Sequence, residues 1–340
     1  MKRKLATAFL AAALTFQSPV AYAQQDSAHP AKSLPIGTCI NLGNTLEPET
    51  EGAWGGAAAE QADFERIAAA GFKTVRIPVR WSNKTSDQPP YTVDPAWMDR
   101  IQQIVDWALA AKLNVILNSH HFDGIHDDPL GISDRHGAVW SQIAQRFADY
   151  PEDHLWFELE NEPHENFDHS NLLETLAPAL KAVRAVNPTR AVIIGGEDWS
   201  GLESLATLPL PEDPNVYPTF HYYDPFAYTH QGASWVAPDI PPPGRNFPTD
   251  EDKAQLAKDV AKIEAYVERT GKVPFMGEVG AYDKHISTKD RAQYHRVVRE
   301  AFEPTGIGIC VWAYANTFPF YDRKAGAWKP GMLKALGLEE

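Results

Sequence analysis

The chain of 340 residues has only two cysteines, Cys39 and Cys310, which excludes a disulfide-dense scaffold. It also lacks H-E-x-x-H and paired C-x-x-C spacings, so no motif marks a metal-ligand set. Past the N-terminus, no apolar run approaches the ~18 residues that a membrane span needs. No Gly/Ser-rich linker or shift in composition divides the chain into parts. Positive charge is scarce, with 31 Lys and Arg against 45 Asp and Glu and a net charge of −14. That balance repels nucleic acid and anionic membrane, and it suits a neutral substrate. The two cysteines leave two states open, a disulfide in an oxidising compartment or a pair of buried thiols.

The first residues read as a leader. Lys2-Arg3-Lys4 is basic, Leu5 to Phe16 is a short apolar stretch, and Ala21-Tyr22-Ala23 is a small-x-small cleavage site. This is a secretory signal peptide cleaved near Ala23, too short and wrongly flanked for a span. Residues 1–23 are therefore expected to be removed, leaving 24–340 as one domain that is secreted or periplasmic and monomeric. Loss of the three basic residues takes the charge to −17.

Short β-branched runs alternate with amphipathic helical stretches. Strands are expected at Gly37–Leu42, Thr74–Pro78, Asn114–Asn118, Leu155–Glu160, Ala191–Gly195, Val216–His221, Val273–Gly277 and Gly308–Trp312. Helices are expected at Gln61–Ala70, Ala96–Ala111, Val139–Ala148, Leu172–Val186, Asp252–Arg269 and Thr288–Phe302, with stop signals at Gly71 and Asn187-Pro188. Strands and helices alternating in this way predict an α/β fold, a single (β/α)₈ TIM barrel.

Such barrels gather their chemistry at the carboxyl ends of the strands. Polar residues collect at those ends: Asn41 and Asn44 after the first strand, Arg76 on the second, and His120 and His121 after the third. Asn161-Glu162 follows the fourth strand, Glu197-Asp198-Trp199 the fifth, His221 and Tyr223 the sixth, Glu278 the seventh and Trp312 the eighth. Two strand-end glutamates, Glu162 and Glu278, are what hydrolysis of a glycosidic bond with retention requires. Glu162 is the better acid/base, because Asn161 beside it can bind a sugar 2-hydroxyl. Glu278 is the better nucleophile, since Arg76 and Tyr223 can hold it ionised. Either glutamate alone could equally be a helix cap or an arginine partner. Asn161 and Glu162 lie on opposite faces of a regular strand, so both reach the mouth only where the strand has ended or bulged, as Pro163 allows. Glu158 reads as a polar residue of the barrel interior, Glu160 as one easily mistaken for catalytic, and Glu197-Asp198 as structural or substrate-binding.

His120 and His221 are placed to bind sugar hydroxyls and orient the carboxylates. His121, His126 and His136 read as loop or surface histidines, with His121 near enough to the rim to touch substrate. Trp54, Trp81, Trp199, Tyr223, Phe226, Tyr228, Trp235, Trp312, Tyr314 and Phe318 crowd the rim and its loops, about half of them expected to be structural because large aromatics are usually buried. Trp199, Trp235 and above all Trp312 are the candidate sugar platforms. Trp97, Trp107, Trp140 and Trp156 are expected in the core.

The run Gly37 to Leu46, Val75-Arg76-Ile77-Pro78, Leu117-Asn118-Ser119-His120-His121, Asn161-Glu162-Pro163, His221-Tyr222-Tyr223, Gly277-Glu278 and Val311-Trp312, in that order, resembles glycoside hydrolase family 5 over nearly all of the chain past the leader. The resemblance implies Glu162 as acid/base and Glu278 as nucleophile. It implies Arg76, His120, Asn161, His221, Tyr223 and Trp312 as the rest of the site, with net retention and no cofactor. It also implies a cis peptide after Trp312. The resulting expectation is a retaining endo-β-1,4-glucanase acting on a β-linked polysaccharide or oligosaccharide, with Asn44, His121, Trp199, Trp235 and Trp312 touching substrate. The alternatives are the same mechanism on β-mannan, xyloglucan or mixed-linkage glucan, a non-catalytic glycan-binding barrel, or a metal-dependent hydrolase.

Overall fold

A computed structural model describes residues 31–339 apart from Gly55. The expected leader, residues 1–23, lies outside the described residues. Eight parallel strands close into a barrel in sequence order, β1 (Thr38–Asn41), β2 (Thr74–Val79), β3 (Asn114–Ser119), β4 (Leu155–Glu158), β5 (Val192–Gly195), β6 (Val216–Tyr222), β7 (Phe275–Val279) and β8 (Ile309–Val311). Helices α1 (Gln61–Ala69), α2 (Pro95–Ala110), α3 (Pro129–Arg146), α4 (Leu172–Val186), α5 (Asp250–Thr270) and α6 (Thr288–Phe302) cross between strands, and only the β5–β6 connection lacks a full helix. Among the described residues, no helix is long and apolar enough to cross a membrane.

Local chemistry sets the helix ends. Asp94 caps α2 by accepting from Ala96 N at 2.8 Å, with Pro95 at the first helical position. Thr249 and Asp252 form a reciprocal capping box on α5, which stops at Gly271 in the left-handed region. Helix α3 begins ten residues before the expected Val139. Its start is hidden by Gly131, Gly137 and a polar first half. Gly137 is a packing residue there, since a Cβ on it would meet Pro178 Cβ of α4 at 2.5 Å. The early start carries His136 into the helix and out of solvent, which corrects its reading as a loop or surface histidine. The buried ring bonds the Leu159 carbonyl at 2.8 Å and sits 3.2 Å from Glu160.

The strands separate two cores. Outward residues such as Val75, Leu117, Phe157 and Phe220 pack under the helices. Inward residues Cys39, Ile116, Trp156, Ile193, Phe275 and Cys310 fill the barrel floor. Cys39 and Cys310 are register partners across the β1–β8 seam and form a disulfide, which resolves the choice left open by the sequence. Above this apolar layer sit Arg76 and Glu158, both buried.

Candidate active site

Arg76 is the hub of the barrel mouth. Its Nε and Nη2 donate to the two oxygens of Glu158 at 2.7 and 2.8 Å. Nη1 donates to Asn41 Oδ1 at 2.9 Å and to Glu278 Oε1 at 2.8 Å, while Nη2 reaches Asn161 Oδ1 at 2.7 Å. Burial opposes the charge, but Glu158 and Glu278 outweigh it and raise the guanidinium above its usual range. A bare arginine at this depth would be costly, and the bidentate pair with Glu158 makes it tolerable.

Glu278 owes its direction to an irregularity. Phe275 faces the barrel floor and Met276 faces the helices, so plain alternation would turn Glu278 outwards. The β6–β7 register shifts there: Phe220 pairs with Met276 and His221 with Glu278, leaving Gly277 unpaired. The bulge turns Glu278 back toward Arg76. A Cβ on Gly277 would stand 2.7 Å from Thr219 Oγ1 and 3.0 Å from His221 Nε2, so the position needs glycine. Glu278 Oε2 accepts from Tyr223 at 2.8 Å. Burial pushes the Glu278 carboxyl up, Glu162 adds to the rise, and His221, Arg76 and Tyr223 pull it down.

Strand β4 ends at Glu158, two residues earlier than expected, which frees the next residues from alternation. Glu160 turns to Ser119 Oγ at 2.7 Å and to His136, so it is structural. Asn161 turns to Arg76. Glu162 adopts φ 50° and points its carboxyl at the mouth. His221 Nδ1 lies 2.6 Å from Glu162 Oε1 and 3.7 Å from Glu278 Oε2. One oxygen of each carboxylate and a ring nitrogen of His221 lie within 4.8 Å of one another. These three are also the group among the described residues close enough to hold a metal. A cation there would compete with the Arg76 charge, 2.8 Å from Glu278, so the set suits proton transfer better. Burial raises the Glu162 carboxyl to about 7, against the pull of Arg76 and His164. Burial holds His221 down at about 4, so its imidazole is neutral at neutral pH.

Trp312 and His120 form the opposite wall, their rings stacked at 5.7 Å and 14°. His120 is buried and fixed by Asn118 Oδ1 at 3.0 Å. The Trp312–Ala313 peptide is cis, as the family resemblance implied.

The remaining candidates spread along the rim. Asn44 spends its side-chain amide on Thr317 Oγ1 at 3.1 Å, so it braces the β1 and β8 loops. His121 is exposed and lies edge-on to His120 at 4.5 Å. Trp199 and Trp235 stand half-open to solvent, Trp199 against His164 and Trp235 against Tyr282. Trp81, Tyr228 and Tyr314 are buried and structural, as are Trp140 and Trp156 in the core. Glu197 accepts from His169 N at 2.9 Å and ties two loops. The bonds of Asn41 and Glu158 to Arg76 were missed; an inward-facing polar residue one layer below each rim was the available signal. His164 was missed with no sequence signal beyond its nearness to Glu162.

Residues 39–317 match the model of the cellulase family, glycosyl hydrolase family 5. Endoglucanase H of Acetivibrio thermocellus is 36% identical over 309 residues, which is 88% of this chain and 33% of that protein. The chain thus spans about a third of that relative's length. A solved endoglucanase superposes with TM-score 0.85 at 37% identity, covering 88% of this chain and 96% of the other. Thermotoga maritima Cel5A, solved with mannotriose, does so with TM-score 0.85 at 35% identity, covering 88% and 97%. On the matched residues, the barrel and the order of its rim motifs, the chain belongs to glycosyl hydrolase family 5, the cellulase family.

Proposed function

We propose that the chain is a retaining endo-β-1,4-glucanase in which Glu278 is the nucleophile and Glu162 the acid/base. The spacing of the two carboxylates carries the reading. Retaining pairs stand ~5–5.5 Å apart, and oxygens within 4.8 Å leave no room for the water that inversion needs. Glu278 has two direct donors, Arg76 and Tyr223, and is therefore the carboxylate more readily ionised. Glu162 has uncharged partners, His221 and the Asn161 amide, and a carboxyl raised to about 7, so it holds a proton to give.

In the first step Glu278 attacks C1 while Glu162 protonates the departing oxygen. Attack removes the negative charge on Glu278, which lowers the proton affinity of Glu162. The ionised Glu162 then takes a proton from water, which attacks C1 and frees Glu278. Asn161, its carbonyl bound to Arg76 and its NH₂ shared with the Glu162 carboxyl, offers the remaining N–H to the sugar 2-hydroxyl. Trp312 carries the sugar ring under attack.

A β-mannan activity is the second reading, because Thermotoga maritima Cel5A has been solved with both mannotriose and cellobiose. Export is part of the proposal, supported by the basic and apolar start of the chain and by a disulfide suited to an oxidising compartment. A panel of carboxymethylcellulose, mannan, xyloglucan and mixed-linkage glucan, with product lengths, tests it. Short oligosaccharides appearing early from cellulose are the expected result; turnover confined to mannan, or cellobiose as the sole early product, would refute it.

A further inference from the structure

The loop carrying Glu162 holds a histidine that the proposed mechanism leaves unused. His164 Nδ1 lies 2.6 Å from the backbone carbonyl of Glu162. A carbonyl only accepts, so Nδ1 carries the proton and donates it. The neighbouring backbone is tied residue by residue. Asn161 N donates to Ser119 O at 2.9 Å, and the Pro163 carbonyl accepts from Trp199 N at 3.1 Å. Glu162 itself is left-handed at φ 50°, a conformation that costs ~1–3 kcal/mol and persists only where the surroundings over-determine it.

The same imidazole is the middle ring of a stack. His126 lies 3.7 Å away at 22° on one side, and Trp199 lies 4.9 Å away at 13° on the other. Trp199 is 54% exposed although one face is covered, so its outer face is open. Its N–H bond to Pro163 puts it beside the acid rather than beside Glu278. That is the side on which a departing sugar has to sit, because Glu162 protonates the departing oxygen.

We propose that His164 is a positioning residue that couples a leaving-group sugar platform, Trp199, to the backbone of the acid Glu162. The inference rests on the assignment of Glu162 as acid/base. A sugar seated on Trp199 fixes the indole against the imidazole, and the imidazole holds the backbone carbonyl of Glu162, which is bonded to the Cα that carries the carboxyl side chain. Contact with a remote part of the substrate is thereby used to align the proton donor.

Two substitutions separate ring from donor. His164→Phe keeps the stack and loses the bond to Glu162; His164→Asn keeps a donor and loses the stack. Each is measured on cellohexaose, whose leaving group needs a proton and a platform, and on dinitrophenyl cellobioside, whose leaving group needs neither. For H164F the loss in kcat/KM on cellohexaose is expected to exceed the loss on the dinitrophenyl substrate by about tenfold, through kcat with KM little changed. For H164N the expected change on cellohexaose is a KM raised by roughly fivefold with most of kcat kept. Equal losses on both substrates in H164F, or one and the same profile in both variants, overturn the coupling. Glu162→Ala sets the scale. If it too loses equally on both substrates, the acid assignment fails; if it is selective and H164F is not, the coupling alone fails. Should H164F not fold, His164→Asn must restore the kcat that His164→Ala loses, and failure to do so overturns the proposal.

Discussion

His221 touches both carboxylates through one nitrogen, with Nδ1 2.6 Å from Glu162 Oε1 and 3.7 Å from Glu278 Oε2. Its ring reaches that point because the β7 bulge sets it opposite Glu278 and Gly277 leaves room for it. Replacing His221 by Ala removes the group that orients Glu162 and leaves the bonds of Arg76 in place. The expected outcome is a fall in kcat of about 10²-fold on cellohexaose with KM changed far less, read from steady-state kinetics.

The pH profile follows from Glu162. A general acid must be protonated to work, so raising the pH through its value of about 7 removes activity. Above that pH, kcat/KM on cellohexaose is expected to fall about tenfold per pH unit. On dinitrophenyl cellobioside this alkaline limb should vanish, and its persistence would assign the limb to another group. At the acid end activity falls as Glu278 becomes protonated, and its raised proton affinity moves that limb up from the ordinary carboxylate range.

Two tryptophans on the same rim should respond in opposite ways. Trp312 is buried and stacked on His120, so Trp312→Ala is expected to cost roughly 3–5 kcal/mol of stability along with most activity. Trp199 is half-open, so Trp199→Ala should change stability by no more than about 0.5 kcal/mol while raising KM for long oligosaccharides. Urea unfolding beside chain-length kinetics checks both.

The disulfide joins β1 to β8 on the barrel floor, across a sequence separation of 271 residues. Breaking it with Cys39→Ala and Cys310→Ala is expected to lower stability by roughly 2–4 kcal/mol. Because Arg76 and Glu158 lie between it and the catalytic carboxylates, kcat at 25 °C should be unchanged. A reduced kcat with intact fold would show that the floor and the mouth are coupled.

Much of this was legible in the sequence, because the signals were local. Strand starts lie within two residues of expectation, and α4 and α6 match residue for residue, because apolar periodicity and stop signals are short-range. The start of α3 was not legible, since Gly137 reads as a breaker until Pro178 is seen packed against it. His136 was misread for the same reason. At the site, Glu162, Glu278, Arg76, Asn161, His221 and Tyr223 are brought together as their strand-end positions required. What the sequence could not give is direction. Only the early end of β4 lets Asn161 and Glu162 both reach the mouth while Glu160 turns to Ser119 and His136, and only the bulge at Gly277 brings Glu278 inwards. His164 was invisible because its role depends on a stack of rings from three separate loops.

The most direct test of the account is to trap the covalent intermediate. Incubation with an activated 2-deoxy-2-fluoro cellobioside, followed by peptide mass spectrometry, should find one cellobiosyl unit attached to Glu278. Attachment to Glu162, Glu160 or Glu158 would contradict the assignment of the nucleophile. Turnover with an inverted anomeric product and no labelled protein would contradict the double displacement itself.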